Sequence, residues 1–301
     1  MILVVGEAIV DVVERSDGAR TEHAGGSPAN VAVGLGRLGL DVTLATTIGD
    51  DAYGHLIESH LENSGVNLAD GSRRVGLTSS AIAHLAPDGS AAYDFEVTWD
   101  PGLIPAPDGV SAVHTGSIAA TLEPGADDVE MLLRELEPTA IVSLDPNIRP
   151  ALLPDHEDVA RRIVRLVEHA DVVKVSDEDL AWLSPDKPAD AVAERWLEAG
   201  PAIVVITRGA EGSMALARSG RLDVPASTTS VIDTVGAGDA YMSGLLAGLH
   251  REGLLTSDRR SDLHDIDAET LHRVTSVATR SAAWTVGRAG AEPPARAELL
   301  E

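Results

Sequence analysis

A glycine turn, Gly236-Ala237-Gly238, precedes a helical pattern that begins near Asp239. The N–H groups of a helix's first turn have no partner within the helix, and they lie at the positive end of its dipole. Glycines before such a turn let an anion approach the backbone closely, so binding does not require lysine. Gly244 and Gly248 in the same pattern permit close helix packing. The segment therefore predicts a site for a phosphate group.

Asp239 falls in the first turn of that helix, and its carboxylate has two possible roles. It could cap the helix by accepting backbone N–H bonds, which is a common use of aspartate. It could also act as a general base that accepts the proton of a hydroxyl attacking a bound phosphate. A carboxylate beside an anion site repels the anion unless it serves such a purpose. The residues alone leave both interpretations open.

The rest of the sequence alternates short apolar runs with amphipathic helical patterns, which predicts an α/β fold whose mostly parallel sheet is covered by helices on both faces. The predicted strands are Ile2–Val5, Val42–Ile48, Ala112–His114, Ala140–Leu144, Val172–Val175 and Ile203–Thr207. The predicted helices are Pro28–Leu38, Tyr53–Ser64, Asp127–Leu136, His156–His169, Asp177–Leu183 and Ala189–Ala199. We expect a loop over Gly253–Asp267, followed by a helix that starts at the N-cap Asp267 and ends near Val286.

Two stretches, Asp11–Glu22 and Ser79–Trp99, instead alternate apolar and polar residues. The second has the turn sequence Pro87-Asp88-Gly89 at its centre and is predicted to form a hairpin. Short antiparallel strands inserted early in a parallel α/β chain form either a flap beside the sheet or an ordinary edge hairpin. The pattern does not distinguish these two alternatives.

Composition excludes several classes of function. The 301 residues include 23 basic and 48 acidic side chains, a net charge of −25, and such a surface repels nucleic acids. The chain has no cysteine, which excludes disulfides, thiol nucleophiles and cysteine-ligated zinc. No run of 18 apolar residues predicts a membrane span, and the first residues resemble a strand more than a signal peptide. We therefore expect a cytoplasmic protein that binds neither nucleic acid nor membrane.

The segment Gly34-Leu35-Gly36-Arg37-Leu38-Gly39 matches the G-x-G-x-x-G pattern of dinucleotide-binding proteins. That motif requires a strand before its first glycine and a helix that starts within it. Here Ser27 is a potential N-cap and Pro28 suits the first helical position, so the glycines would lie inside or just after a helix. The order of elements argues against a dehydrogenase, and the sequence has no P-loop motif.

Two segments together resemble the signatures of the ribokinase/PfkB carbohydrate kinase family, in particular its fructokinase-like members. They are Asp233–Asp239, with the sequence DTVGAGD, and Gly25–Asn30, with the sequence GGSPAN. The resemblance extends over essentially the whole chain. It implies one ribokinase-like domain over residues 1–301, with lid segments at about 11–24 and 79–101. It also implies transfer of the γ-phosphate of ATP to a sugar hydroxymethyl group.

The resemblance places Asp239 at the catalytic base position and Gly236, Ala237 and Gly238 at the anion hole that stabilises the transferred phosphoryl group. Asp145–Pro150 (DPNIRP) matches a D-x-N-x-R element of fructokinase-like and ketodeoxygluconate-kinase-like members. The lid is expected to cover the sugar and to pair between two subunits. The residues implied to bind the sugar are Asp11, Gly25, Gly26, Asn30, Tyr93, Phe95, Asn147 and Arg149.

The same resemblance implies a nucleotide site, Mg²⁺ carried by ATP and a K⁺ site. Asp179 stands where the family often has glutamate, which puts its part in magnesium handling in doubt. Pro294 replaces a hydroxyl residue that some relatives use for the monovalent cation. The implied nucleotide-side residues are Lys174, Ser176, Asp179, Thr207, Gly209 and Gly212. The implied K⁺ ligands are Asp233, Val235, Thr285, Arg288 and Gly290.

Fructose is the expected acceptor because of the DPNIRP element, with ribose and 2-keto-3-deoxygluconate as rivals. An alternative of another class is a non-catalytic sugar- or nucleotide-binding protein with the same fold. The intact glycine turn and Asp239 favour the kinase. The expected partners are a small sugar, ATP and a second copy of the chain.

Overall fold

The computed structural model of the protein describes residues 1–15, 17–85, 91–153, 155–227 and 229–299. These residues form a nine-stranded sheet, a four-stranded sheet and a two-stranded sheet. In spatial order, the large sheet contains β15 (Gly220–Val224), β14 (Ser213–Ala217), β13 (Ile203–Thr207), β12 (Val172–Ser176), β11 (Ile141–Asp145), β10 (Ala112–Gly116), β1 (Ile2–Val5), β4 (Val42–Ala45) and β6 (Val66–Leu68).

The strands from β13 to β6 are all parallel, and β14 and β15 add antiparallel pairs at one edge. In the central strand β1, Ile2 and Val4 belong to one hydrophobic core, whereas Leu3 and Val5 belong to the other. The sheet is thus buried on both faces, as continuous apolar runs predict for parallel strands. The predicted α/β fold class is confirmed.

Helices cover both faces of the large sheet. One face packs against α1 (Ser27–Arg37), α2 (Ala52–Asn63), α7 (Ala237–Arg251), α8 (Arg260–His264) and α9 (Ala268–Val286). The other packs against α3 (Gly125–Leu136), α4 (His156–Glu168), α5 (Asp177–Leu183) and α6 (Ala189–Ala199). A short α10 (Arg296–Leu299) follows near the C-terminus. No helix in the described ranges is both long and apolar enough to cross a membrane.

The two alternating stretches form the four-stranded sheet, in the spatial order β3 (Arg20–Gly25), β2 (Ile9–Arg15), β8 (Ser80–Leu85) and β9 (Ala91–Glu96). Strands β2 and β8 are parallel, and the other pairs are antiparallel. The predicted turn at 87–89 lies outside the described residues. A third, two-stranded sheet pairs β5 (Ile48–Gly49) with β7 (Arg73–Arg74).

Two predicted segments differ from the structure. The predicted strand Val42–Ile48 is divided into β4 and β5, which belong to different sheets. The predicted loop Gly253–Asp267 contains a 3-10 turn, Ser257–Arg259, and α8. This loop prediction was wrong because Leu263, among polar neighbours, is fully buried and anchors a helical turn. Asp267 does cap α9, accepting from the amide of Thr270 at 2.7 Å.

Helices α1 and α7 pack closely through Gly34. A Cβ built on Gly34 would lie 2.3 Å from Oγ and 2.7 Å from Cβ of Ser243. Any larger residue at position 34 must therefore push the two helices apart. Gly244 similarly faces α9, where a Cβ would lie 2.8 Å from Cα of Ala278. Of the glycines that match a dinucleotide motif, Gly34 and Gly36 thus lie inside α1 and Gly39 lies just after it, as the order of elements predicts.

We expect Gly34→Ala to lower the free energy of unfolding by about 1–3 kcal/mol, because the added methyl overlaps Ser243. The double variant Gly34→Ala, Ser243→Gly removes the overlap and exchanges the helix propensities of the two positions, so it should recover most of the loss. Urea unfolding of the three proteins measures both effects. A single variant as stable as the wild type would contradict this account of the contact.

Glu7, directly after β1, is a buried acid that ties two elements together. Its Oε2 accepts from the amide of Ala119 at 3.0 Å, in the 3-10 turn Ser117–Ala120 that follows β10. Burial raises the pKa of Glu7 to about 7, and hydrogen bonds together with the charge of Arg149 offset only part of that rise. The folded state therefore holds this proton up to a higher pH than the unfolded chain does.

A protonated Glu7 stabilises the fold fully below about pH 4.5, and this contribution is lost as the pH rises through about 7. Since Glu7→Gln stays neutral, the stability difference between variant and wild type should shift in favour of the variant by about 3 kcal/mol between pH 4 and pH 8. Urea unfolding across this range measures it, with the exposed-acid variant Glu135→Gln as control. A difference independent of pH would refute the role assigned to Glu7.

Candidate active site

The candidate site lies where the carboxyl ends of parallel strands meet the N-termini of α1 and α7. In α/β sheets this edge is the usual place for ligands. Asp145 is the last residue of β11, and Lys174 is the middle residue of the neighbouring β12. Because Gly34 lets α1 approach α7, the first turns of the two helices are also brought together. Residues far apart in sequence therefore converge here.

Asp239 is held by three side chains, two from α1 and one from the loop after β11. Its Oδ1 accepts from Ser27 Oγ at 2.7 Å and from Asn147 Nδ2 at 3.4 Å, and its Oδ2 accepts from Asn30 Nδ2 at 2.8 Å. Only 6% of Asp239 is exposed. The N-cap of α7 is Gly236, with no side-chain cap, so Asp239 does not cap its own helix. Of the two interpretations left open by the sequence, this geometry supports the base.

Gly25 and Gly26, the glycines of the GGSPAN segment, allow close approaches to the backbone. Gly26 has φ 100°, and a Cβ there would lie 2.5 Å from the carbonyl oxygen of Glu7. A Cβ on Gly25 would lie 2.2 Å from Oδ2 of Asp11. Gly26, and not Ser27, is the N-cap of α1, so the predicted capping role of Ser27 was wrong. The Ser27 hydroxyl points instead at Asp239, which was not foreseen from the sequence.

Asp11 and Arg149 supply opposite charges beside Asp239. Burial raises the pKa of Asp11, the charge of Arg149 lowers it, and the charge of Asp239 raises it further. Nη1 of Arg149 donates to Oδ1 of Asn147 at 2.6 Å. Asn147 adopts the left-handed region with φ 37°, which turns its amide toward Ser27. The predicted Asp11, Asn147 and Arg149 are therefore grouped around the carboxylate of Asp239.

The turn before α7 presents unpaired amides. Gly236 is left-handed with φ 73°, and Ala237 N donates to Thr234 O at 3.3 Å. In the described part of the chain, the amides of Gly238 and Asp239 donate to no backbone carbonyl. Of the three residues predicted to form the anion hole, Gly238 has a free amide that could bind a phosphate, whereas the amide of Ala237 is engaged by Thr234.

A buried cation lies beneath that turn. Nζ of Lys174 donates to Oδ2 of Asp145 at 2.6 Å, and both residues are almost fully buried. Burial raises the pKa of Asp145 to about 6, although the charge of Lys174 opposes the rise. A Cβ built on Gly238 would lie 3.0 Å from Nζ of Lys174. Lys174 therefore adds positive charge at the helix N-terminus from inside the protein.

Ser176 and Asp179 form the capping box of α5. Asp179 N donates to Ser176 Oγ at 2.9 Å, and Ser176 N donates to Asp179 Oδ2 at 3.4 Å. Oδ1 of Asp179 accepts from the amide of Ile148 at 2.9 Å. Both oxygens of the shorter acid are thus engaged by backbone amides. This arrangement weakens the prediction that Asp179 handles a metal, and it fixes the segment that carries Asn147.

Of the predicted nucleotide-side residues, Thr207 ends β13, which is next to β12 in the sheet, and Gly209 and Gly212 follow it. Gly209 and Gly212 have φ values of 51° and 92°, and a Cβ on Gly212 would lie 2.2 Å from the carbonyl oxygen of Val224. Arg208, which precedes Gly209, pairs with Asp190 at 2.6 Å. These contacts fix an open, glycine-bearing loop at the same edge of the sheet as the anion hole.

The predicted cation segments meet at Asp233. Its Oδ1 accepts from Val235 N at 3.0 Å and its Oδ2 from Gly290 N at 2.8 Å, and these bonds lower its pKa. The amide of Arg288 donates to the carbonyl of Thr285 at 3.0 Å. The described residues contain no cluster of three or more acidic, histidine or cysteine side chains that could hold a metal ion. One carboxylate with nearby carbonyls is a sparse donor set for a divalent ion.

Two aromatic residues of the predicted lid region, Phe95 and Trp99, have different environments. Phe95 lies on the edge strand β9 and is 42% exposed. The side chain of Tyr93 lies outside the described part of the structure. Trp99, which the sequence places in the same segment, is instead buried against Gly125, whose Cβ would lie 2.5 Å from the indole ring.

Comparison with known proteins places this site in a family. The model of the pfkB family carbohydrate kinases matches residues 1–298. Fructokinase from Rhizobium leguminosarum bv. trifolii is 35% identical over 276 residues, covering 88% of this chain and 84% of that protein. The structure of ATP-bound fructokinase from Xylella fastidiosa is similar with a TM-score of 0.85 at 27% identity, covering 99% of this chain and 96% of that one.

Aminoimidazole riboside kinase from Salmonella enterica, complexed with aminoimidazole riboside and an ATP analogue, is also similar in structure. Its TM-score is 0.80 at 25% identity, and the match covers 96% of this chain and 94% of that one. The family match thus spans nearly the whole chain, including both signature segments that converge on Asp239. The chain belongs to the pfkB family of carbohydrate kinases.

Proposed function

We propose that the protein transfers the γ-phosphoryl group of ATP to the hydroxymethyl group of fructose, giving fructose 6-phosphate and ADP. The observation that carries the proposal is the placement of Asp239, buried beside the free amides of its own helix and held by three side-chain donors. A carboxylate in this position can take a hydroxyl proton next to a bound phosphate. The family membership of the chain supports the same reaction class.

In this proposal Asp239 is the general base, and the backbone of Gly236, Ala237 and Gly238 stabilises the charge on the transferred phosphoryl group. Donors that are already oriented toward developing charge stabilise it most effectively, because little has to reorganise during the reaction. Lys174 strengthens the hole from beneath. A protein with two lysines and a net charge of −25 would thus bind a polyphosphate mainly through backbone amides.

The sugar is proposed to bind among the residues around Asp239. The carboxylate of Asp11 can accept from two neighbouring hydroxyls, and Arg149 can donate to sugar oxygens. The proposed sugar contacts are Asp11, Gly25, Gly26, Asn30, Asn147 and Arg149, with Tyr93 and Phe95 on the lid. We propose that the lid, segments 11–24 and 79–101 of a single domain, closes over the sugar and excludes water as a competing acceptor.

The nucleotide is proposed to lie along Lys174, Ser176, Thr207, Gly209 and Gly212. Mg²⁺ would come with the phosphates of ATP and remain largely hydrated. Asp233 and the backbone of Val235, Thr285, Arg288 and Gly290 suit K⁺ better than a divalent ion, because they combine one carboxylate with carbonyls. When bound, K⁺ would add a fixed positive charge near the anion hole. A homodimer formed through the lid sheets and a cytoplasmic location complete the proposal.

Fructose is preferred over other sugars because fructokinases from R. leguminosarum and X. fastidiosa resemble the chain. Ribose and 2-keto-3-deoxygluconate remain rival acceptors that the DPNIRP element does not exclude. The riboside kinase from S. enterica adds ribosides to the rivals. In a non-catalytic sugar- or nucleotide-binding protein, the same site would bind its ligands without phosphoryl transfer.

The acceptor is tested by ADP release with Mg-ATP across fructose, ribose, tagatose, 2-keto-3-deoxygluconate and adenosine, in KCl and in LiCl. We expect fructose to give the highest kcat/KM and KCl to exceed LiCl. Faster turnover of another sugar would replace fructose as the substrate. Equal rates in the two salts would remove K⁺ from the proposal. Sugar and ATP binding without turnover would favour the binding protein.

Asp239→Asn should lower kcat by about 10²–10⁴-fold while leaving the Kd for ATP nearly unchanged, because the general base is lost but the anion hole is kept. The fold should persist, since the Asn30 amide can turn to offer its oxygen to the new side chain. Initial rates and calorimetric ATP titration measure these effects, with the exposed variant Asp258→Asn as control. Activity within tenfold of the wild type would show that Asp239 is not the base.

A further inference from the structure

Ser27 links Asp239 to a chain of hydrogen bonds. The residue is buried at the first position of α1, with 7% exposed. Its Oγ donates to Oδ1 of Asp239 at 2.7 Å and accepts from Nδ2 of Asn147 at 2.7 Å. Asn147 Oδ1 in turn accepts from Nη1 of Arg149 at 2.6 Å. A polarised chain therefore runs from the guanidinium, through an amide and a hydroxyl, to the carboxylate.

This chain makes the two oxygens of Asp239 unequal. Oδ1 accepts two donors, from Ser27 at 2.7 Å and from Asn147 at 3.4 Å. Oδ2 accepts one, from Asn30 at 2.8 Å. Each carboxylate oxygen offers about two acceptor directions. Oδ1 is therefore fully used, whereas Oδ2 keeps one direction for a further proton donor.

We propose that Ser27 is a positioning residue that occupies Oδ1, so that Oδ2 is the atom that takes the proton of the attacking hydroxyl. The inference rests on the proposed kinase function. In the step, the O–H bond of the sugar hydroxymethyl group breaks and its proton moves to Oδ2. The electron pair left on that oxygen forms a bond to the γ-phosphorus. The bond from that phosphorus to its bridging oxygen breaks, and its electron pair leaves with ADP.

Ser27 also donates a hydrogen bond to the carboxylate of Asp239. Two neighbouring carboxylates repel the charge of Asp239, as the raised pKa values of both partly reflect. A hydroxyl that donates to the charged form of a carboxylate favours that form, so losing it makes Asp239 easier to protonate. Ser27, Asn30 and Asn147 provide neutral donors to it. The titratable and charged groups around the site, all unchanged in the variants below, are Glu7, Asp11, His23, Asp145, Arg149, Lys174 and Asp179.

The test is the pH profile of kcat/KM for Ser27→Ala, using the panel sugar that the wild type phosphorylates fastest. We expect the acid limb to move up by about one pH unit, which is about a tenfold loss on that limb, with little change above it. Ser27→Thr, which keeps the hydroxyl, should return the acid limb to its wild-type pH. Ser243→Ala, which removes a buried hydroxyl bonded only to its own helix, should match the wild type.

Two results would overturn the inference. An unmoved acid limb in Ser27→Ala would do so, as would a higher KM for the sugar without a moved limb, since Ser27 would then contact the sugar. If Ser27→Ala does not fold, Asn147→Gly tests the same chain at a left-handed position where glycine fits. It removes the donor to Ser27 and the weaker 3.4 Å donor to Oδ1 of Asp239, so it must move the limb the same way.

A substrate-free measurement separates this inference from the proposed function. The ¹³Cγ signal of Asp239, assigned by its loss in Asp239→Asn, reports protonation of the carboxyl without turnover. Its midpoint should be higher in Ser27→Ala even if no sugar in the panel reacts, in which case only the proposed function fails. An equal midpoint in an active enzyme would leave the kinase standing and reject the role of Ser27.

Discussion

The close contact between α1 and α7 is the constraint on which the site depends. Gly34 leaves no gap against Ser243, so the two helices meet side by side and their first turns open at the same place. One turn brings Ser27 and Asn30, and the other brings Asp239 and the free amides. A carboxylate and an anion site would not otherwise lie at hydrogen-bonding distance from residues more than two hundred positions away in the chain.

The positive groups at the site contrast with the strongly negative net charge of the whole protein. The chain is strongly acidic, and three aspartates, Asp11, Asp145 and Asp239, influence one another at the site. Positive potential comes from the dipole of α7, from buried Lys174 and from Arg149. Lys174 is paired with Asp145, which offsets part of its charge. Free backbone amides can bind an anion without the desolvation cost of further buried cations.

Much of this arrangement could be predicted from the sequence. The alternation of strands and helices predicts the fold class, and the glycine turn predicts the donors before Asp239, because both depend on local patterns. The roles of Ser27 and Asp179 could not be predicted in this way. A serine before proline indicates an N-cap, but the left-handed Gly26 takes that position and frees the hydroxyl. Asp179 matches a metal-handling pattern, but its oxygens accept amides from its own helix start and from Ile148.

The loop prediction over Gly253–Asp267 failed for a similar reason. Most residues there are polar, and the single turn of α8 depends on the burial of Leu263 against the core. Tertiary packing of one side chain decides the local structure, and no pattern of a few residues records it. The sequence therefore predicts secondary structure best where many residues follow one hydrophobic period. It predicts it least well where a single tertiary contact determines the local structure.

The burial of Lys174 also has a practical consequence for chemical labelling. The sequence contains one other lysine, Lys187, which is exposed, and it contains no cysteine. An amine-reactive dye would therefore modify one lysine side chain, far along the chain from the lid strands. A single cysteine introduced on β9 would be the only thiol. Apart from the α-amino group, the protein thus accepts two different fluorophores at defined side chains, Lys187 on the body and the introduced cysteine on the small sheet, without removal of any native lysine or cysteine.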